Sequence, residues 1–296
     1  MKNKIFFVTG GTGSFGQKFV EIIFKKYHAK KVIIFSRDEL KQFQMKNNPI
    51  FKKYITKMRF FIGDIRDRER LHYALKQKID YVIHAAALKQ VPIAEYNPYE
   101  AIKTNVIGAQ NLIDVTSEFS IKKVIALSTD KAASPINLYG ATKLAADKLF
   151  ISANNYNRTT LYSVVRYGNV FASRGSVAPF FLKKKKEGIL PITDKRMTRF
   201  SISLEDAVNF VVSCLKVSIG GELFIPKIPS FKVIDLAKVI APKAKYKIIG
   251  IREGEKIHET LISTDEKRFT IEKKNHFLII PKKNNIKSNN LRSYNS

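Results

Sequence analysis

The sequence predicts an α/β fold: a doubly wound parallel sheet with a smaller carboxyl-terminal lobe. Three observations carry this. Short apolar runs alternate with amphipathic segments from residue 5 to residue 170. A glycine-rich turn, TGGTGSFG at residues 9–16, separates the first run from the first amphipathic segment. Beyond residue 171 the alternation loosens into short pieces that return to the pattern only intermittently. A chain of 296 residues accommodates one large domain plus a lobe. The division falls at residues 1–170, 171–280 and a tail, 281–296, whose Lys, Asn and Ser content predicts disorder.

The elements follow in order. IFFV (5–8) reads as a buried strand, and residues 17–26 as a helix with Phe19, Val20, Ile23 and Phe24 on its apolar face. Between them Gly10 permits a tight turn, Gly13 lets backbone approach a pyrophosphate, and Gly16 allows close helix packing. Strand, glycine turn and helix are the order a Rossmann-type dinucleotide site requires, with the helix amino terminus facing the phosphates. The second strand is VIIF (32–35), followed by Ser36 and Arg37. An acid at this point holds a ribose 2′-hydroxyl; a hydroxyl and a guanidinium suit a 2′-phosphate, so the expected cofactor is NADP. Asp38 and Glu39 count against that choice.

A third strand, RFFIG (59–63), leads to Asp64 and Ile65. Asp64 is placed either to accept from an adenine amino group or to cap a helix over 67–76. A fourth, YVIHAAA (81–87), ends in alanines that let a cofactor lie against backbone. His84 within it reads as a satisfied core histidine, and no metal-type cluster is present. Lys89 follows in a loop aimed at the site. Residues 98–119 read as a helix carrying Asn105 and Gly108.

VIALS (124–128) is the fifth strand, and the chemistry gathers at its tip. Ser128 or Thr129 is placed to orient a substrate hydroxyl, and Asp130 and Lys131 follow at once. Tyr139 and Lys143, four apart on a helix running to residue 154, share one face. An ammonium beside a phenol favours the phenolate, so this pair is suited to take a proton from a hydroxyl. YSVVRYGNV (162–170) is the sixth strand. In the lobe, helices are expected over 179–186, 205–217 and 233–240, with short strands at 190–193 and 197–203. The Lys183 to Lys186 run reads as a wet helix face.

Lys and Arg total 53 against 25 Asp and Glu, a net charge of +28. The lysines fall in short scattered runs without interleaved aromatics, which argues against nucleic-acid binding. The positive field instead favours an anionic small molecule such as a nucleotide diphosphate. No apolar run reaches the roughly 18 residues of a membrane span, and the expected location is cytoplasmic. A single cysteine, Cys214, among apolar neighbours, excludes an internal disulfide and reads as a buried thiol.

TGGTGSFG, Asn105, Ser128 and the Tyr139/Lys143 pair resemble the extended short-chain dehydrogenase/reductases. SRDELK (36–41), FFIGDIRD (60–67), HAAALKQVPIAEYNP (84–98), STDKAASPINLYGATK (128–143), VRYGNV, SRGSVAPFF (173–181), PITD, MTRF, IPKIPS and GIREGEK narrow the resemblance. They are similar to the inverting UDP-N-acetylglucosamine 4,6-dehydratases, from about residue 4 to about residue 280. Asp130-Lys131 is the discriminating pair, since a 4-epimerase needs no acid for a departing hydroxyl.

The resemblance implies that Tyr139, assisted by Lys143, takes the C4 hydroxyl proton while the cofactor accepts hydride. Lys131 removes the C5 proton and returns it to the opposite face; Asp130 protonates the departing 6-hydroxyl. It implies cofactor contacts from Thr12, Gly13, Ser14, Phe15, Ser36, Arg37, Asp38, Lys41, Asp64, Ile65, Ala85, Lys89, Tyr139, Lys143 and Val170. It implies nucleotide-sugar contacts from Lys89, Asn169, Ser176, Val177, Thr193, Arg252 and Glu255, Arg252 suiting a diphosphate. A homo-oligomer without membrane insertion is expected. The resemblance departs at the carboxyl end, where members usually continue with ordered sequence. The competing readings are a UDP-sugar 4-epimerase and an NADP-sensing scaffold on the same fold.

Overall fold

The computed structural model describes residues 1–157, 159–171, 176–280 and 294–296. The first half runs β1 (Ile5–Thr9), α1 (Ser14–Lys25), β2 (Lys31–Ser36), α2 (Glu39–Asn47), α3 (Pro49–Lys52), β3 (Met58–Ile62), α4 (Arg68–Leu75) and β4 (Tyr81–His84). Then come α5 (Val91–Tyr96), α6 (Pro98–Ile102), a π-helical turn (Lys103–Ile107) and α7 (Gly108–Ser117). β5 (Lys123–Thr129) ends in a 3-10 turn (Asp130–Ala132), followed by α8 (Leu138–Ala153) and β6 (Leu161–Tyr167).

The remainder supplies β7 (Asn169–Val170), α9 (Val177–Lys184), β8 (Ile189–Ile192), β9 (Thr198–Ile202), α10 (Leu204–Val217), β10 (Leu223–Pro226) and β11 (Ser230–Lys232). α11 (Val233–Ile240), β12 (Lys245–Ile248), β13 (Thr260–Ile262), β14 (Thr270–Glu272), β15 (His276–Ile279) and β16 (Tyr294–Asn295) complete it.

Among the described residues nine strands form one sheet in the order β14-β15-β10-β6-β5-β4-β1-β2-β3. It is parallel from β3 to β10, and β15 and β14 close one edge antiparallel. Strands covered on both faces must be apolar throughout, which is why Phe6, Phe7 and Val8 are all fully buried. Phe7, Val82, Val124 and Val164 meet Leu71, Leu112 and Phe150 of the helices on one face. Phe6, Val8, Ile83 and Ile125 meet Phe19, Val20 and Ile23 of α1 and Val211 and Leu215 of α10 on the other. Each such side chain contributes about 1.5–3 kcal/mol on burial.

The strand order reverses at β1, whose neighbours are β2 and β4, so the crevice for a ligand opens beyond the carboxyl ends of β1 and β4. In register there, Thr9 lies opposite His84, and Thr129 opposite Tyr167.

The structure differs from the sequence reading at element ends. The fourth strand stops at His84, and the expected 162–170 strand divides into β6 and β7, the latter joining β9 and β11 in a separate small sheet. The segment read as one helix over 98–119 contains the π-helical turn. Helices α2, α3 and α5 were not foreseen. Of the tail, 281–293 lie outside the described residues; Tyr294–Asn295 pairs with β13. Phe181, Leu190, Ile192, Met197, Val233 and Ala237 make a separate apolar core for the lobe.

Candidate functional site

Gly10, at φ +65°, turns the chain from β1 toward α1. A Cβ there would lie 2.8 Å from the Ala86 nitrogen, so the turn rests on the alanine run after β4. At Gly13 a Cβ would have one near neighbour, the Gly10 oxygen at 3.2 Å, and the turn is otherwise open on that side. No acid stands in the first turn of α1, leaving its positive end suited to an anion. These features fit a dinucleotide pyrophosphate. Thr12 is buried, Phe15 stacks on Phe19, and Ser14 is exposed at the start of α1. The Thr9 hydroxyl accepts from the Ala85 and Ala86 N–H groups and pairs with His84 Nδ1 at 2.8 Å. Burial, with the charge of Lys143 adding, pushes His84 down to about 3. His84 is the neutral core histidine the sequence suggests.

At the ribose end the candidate groups are engaged with one another. Ser36 is buried and its hydroxyl accepts from Gln42 Nε2 at 3.1 Å. Arg37 lies 3.6 Å from Asp64, and Lys41 pairs with Asp38, which caps α2. Asp64 does not cap α4; Asp67 does. Burial pushes the Asp64 carboxyl up, but hydrogen bonds from Arg66 and the charges of Arg66 and Arg37 outweigh it and hold it below the usual range. Ile65 packs under Gly108, and Lys89 is exposed beyond Ala85.

The chemical groups converge at the end of β5. Asp130 is fully buried; its Oδ1 accepts from Lys131 Nζ at 3.0 Å and from the Thr129 hydroxyl at 3.0 Å. Lys131 Nζ also lies 3.2 Å from Glu259 Oε1, and Arg199 Nε approaches the same oxygen at 3.9 Å. Among the described residues Asp130 Oδ2 and Glu259 Oε2 are buried without a hydrogen-bond partner. Burial would lower Lys131, but the Asp130 and Glu259 charges prevail over it and over Arg199, and hold the ammonium above the ordinary lysine range.

Tyr139 and Lys143 share one buried face of α8, capped by Asn137, whose side chain accepts from the Gly140 N–H at 2.7 Å. The sequence points to Lys143 as the charge that lowers Tyr139. In the structure burial pushes Tyr139 up to about 12, and what pulls it down is the charge of Lys131 and the Thr129 hydroxyl. Burial likewise lowers Lys143, with Asp147 opposing. Ser128 faces away: its hydroxyl donates to Asp147 at 2.7 Å, which leaves Thr129 as the hydroxyl beside Asp130. Asn105, on the π-helical turn, exchanges both hydrogen bonds with the Leu88 backbone and donates to Thr142 of α8, tying the β4 loop to the Tyr139 helix.

The lobe seals this corner. Asn137 Nδ2 donates to Gly254 O at 2.8 Å, and Lys256 Nζ to Ala133 O at 2.9 Å and Ser134 O at 2.6 Å. Arg252, exposed, is 3.9 Å from Glu255. Asn169 and Val170 form β7, Ser176 and Val177 begin α9 with the Ser176 hydroxyl buried and unpartnered among the described residues, and Thr193 follows β8. Sequence reasoning missed Glu259, Arg199, Lys256 and the buried chain Asp147–Arg166–Glu266, with Arg166 3.4 Å from Asp147 and 3.0 Å from Glu266. Arg199, Arg166 and Lys256 sit in MTRF, VRYGNV and GIREGEK, but Glu259, Asp147 and Glu266 lie in none of these, and the pairings join separate stretches of the chain.

A glycine cradle at the switch point and a Tyr-Lys pair beside a strand-tip Asp-Lys define a short-chain dehydrogenase/reductase-type enzyme of nucleotide sugars. Residues 6–281 match the model of the polysaccharide biosynthesis protein family, and the chain belongs to that family. It is 58% identical, over 93% of its length and 82% of the relative's, to the inverting UDP-N-acetylglucosamine 4,6-dehydratase of Campylobacter jejuni subsp. jejuni serotype O:2. It is 43% identical to a UDP-glucose 4-epimerase of Rickettsia bellii, over 89% of this chain and 79% of that one. Among solved structures, Pen from Bacillus thuringiensis superposes with a TM-score of 0.93 at 37% identity, covering 100% of this chain and 94% of that one. DesIV, a dTDP-glucose 4,6-dehydratase from Streptomyces venezuelae, shares the fold with a TM-score of 0.75 at 20% identity, over 86% of each chain.

These structures correct the expected cofactor. DesIV, MoeE5 and a UDP-glucuronic acid 4-epimerase from Bacillus cereus hold NAD, not NADP. Ser36 and Arg37, the groups put forward for a 2′-phosphate, are engaged by Gln42 and Asp64.

Proposed function

We propose that this protein is an NAD-dependent UDP-N-acetylglucosamine 4,6-dehydratase that inverts C5, producing a 4-keto-6-deoxy sugar for surface polysaccharide. The observation that carries the reading is the 3.0 Å contact between Asp130 and Lys131 at the tip of β5, next to Tyr139. The likeness to the Campylobacter enzyme supports the substrate.

Residues from the β1–α1 turn, with Asp64, Ala85 and Lys143, would hold the dinucleotide, whose nicotinamide supplies the means of removing and returning hydride. Tyr139 takes the C4 hydroxyl proton, the Lys131 charge and the Thr129 hydroxyl opposing the burial that disfavours its phenolate. With C4 a ketone, the C5 proton is acidic, and Lys131 as the free amine removes it. Asp130 as the acid protonates the departing 6-hydroxyl. Lys131 then returns a proton to the opposite face of C5. Asn169, Ser176, Val177, Thr193, Arg252 and Glu255 would hold the nucleotide sugar, the guanidinium of Arg252 gripping phosphate oxygens.

A UDP-sugar 4-epimerase is the second reading, favoured by the Rickettsia relative. An epimerase has no use for an acid and a base at C5 and C6. Incubation with UDP-N-acetylglucosamine and NAD in heavy water, followed by proton NMR, separates them. Deuterium at C5 in a 4-keto-6-deoxy product supports the dehydratase; a C4 epimer without C5 label overturns it.

A further inference from the structure

Glu259 has no role in the steps above, yet it is 2% exposed and its carboxylate faces Lys131. Its backbone N–H is taken by the Ser296 hydroxyl. Its carboxylate lies 3.2 Å from Lys131 and 3.9 Å from Arg199. Two carboxylates from distant parts of the chain thus hold one ammonium between them.

A role for Glu259 follows if the protein is the dehydratase proposed above. Elimination needs Lys131 as an amine and Asp130 as an acid at the same moment. The proton available for transfer rests on Lys131, whose ammonium form the neighbouring carboxylates favour against burial. Moving it along the 3.0 Å contact to Asp130 breaks one N–H bond and forms one O–H bond. That one transfer arms both groups and draws on no outside proton. If solvent removes the proton instead, no acid remains for the departing hydroxyl.

We propose that Glu259 is a positioning residue that keeps this shared proton on the Asp130–Lys131 pair. Among the described residues the charged and titratable groups facing Lys131 are Asp130 on its own turn, Tyr139 of α8, Arg199 of β9, and Glu259 and Lys256 of the segment before β13. Arg199 and Lys256 oppose a charge on Lys131. Among the described residues Glu259 is the group outside the pair that offsets them. Its negative charge stabilises the protonated pair and moves loss of the proton to higher pH.

The test is the pH dependence of kcat for the wild type, Glu259→Gln and Glu259→Asp, with UDP-N-acetylglucosamine and NAD. Wild type should keep its activity to about pH 10, the ordinary lysine value. Glu259→Gln should lose activity on the alkaline side at a pH lower by about one to three units, the effect of removing one close opposite charge. Glu259→Asp should restore most of the alkaline range. A Glu259→Gln profile that superimposes on an active wild type overturns the inference. A wild type that forms no 4-keto-6-deoxy product overturns the dehydratase reading instead. Should Glu259→Gln fail to fold, ¹³C NMR of Lys131 Cε in the wild type, assigned through Lys131→Arg, decides. Lys131 should remain an ammonium at about pH 10, and a midpoint at or below the ordinary lysine value contradicts the proposal.

Discussion

The carbonyl oxygen of Lys131 occupies the space where a side chain on residue 140 would begin. A Cβ on Gly140 would lie 2.2 Å from that oxygen. The helix that carries Tyr139 is therefore seated directly on the backbone of the turn that carries Asp130 and Lys131. Gly140→Ala should push the two apart. Overpacking of this kind costs about 1–3 kcal/mol, to be read from urea unfolding. The activity lost should exceed the fraction unfolded, because the proton-transfer groups are displaced even in the folded molecules.

Lys131→Ala and Asp130→Asn should separate the half-reactions. General acid–base groups are worth about 10²–10⁴ in rate. Lys131→Ala should lose C5 exchange and dehydration together while retaining some C4 oxidation, followed by nicotinamide absorbance. Asp130→Asn should lose dehydration more severely than C5 exchange. Full dehydration by the Lys131 variant would contradict its role.

His84 should make the fold acid-sensitive. Burial depresses it to about 3 in the folded protein, from 6.5 when exposed. Between those values the unfolded chain binds a proton that the folded chain refuses. The stability contributed is complete above pH 6.5 and is lost as the pH falls toward 3. His84→Gln should flatten the dependence of Tm on pH in that window. Equal slopes in the two proteins would mean that other groups govern acid unfolding.

Arg166 is fully buried between Asp147 and Glu266 and also donates to Leu261 O at 3.1 Å. Arg166→Met should destabilise by about 3–5 kcal/mol, because Asp147 is left buried beside Lys143 without its guanidinium. Glu266→Gln should cost less, since Glu266 is 20% exposed. Denaturant midpoints for the two variants give the order; the reverse order would show that Asp147 is not the strained partner.

Local chemistry was legible in the sequence. The β1–α1 turn, His84 as a core residue and the shared face of Tyr139 and Lys143 all follow from spacing within a few residues. What could not be read were pairings across the chain. Nothing near Asp130 announces Glu259, and nothing in VRYGNV says that Arg166 faces inward to Asp147. Ser128 and Thr129 are adjacent and chemically alike; the β pleat alone sends one to Asp147 and the other to Asp130. Ser36 and Arg37 misled for a related reason. A hydroxyl and a guanidinium look available until Gln42 and Asp64 are found beside them.

The segment from Gly254 to Glu259 touches Asn137, Ala133, Ser134 and Lys131 in turn. Those bonds weld the lobe to the reacting corner along one seam. The cleft cannot open there without dismantling its own acid and base. A sugar nucleotide must enter from another rim, and loosening this seam would uncouple proton transfer before it freed any product.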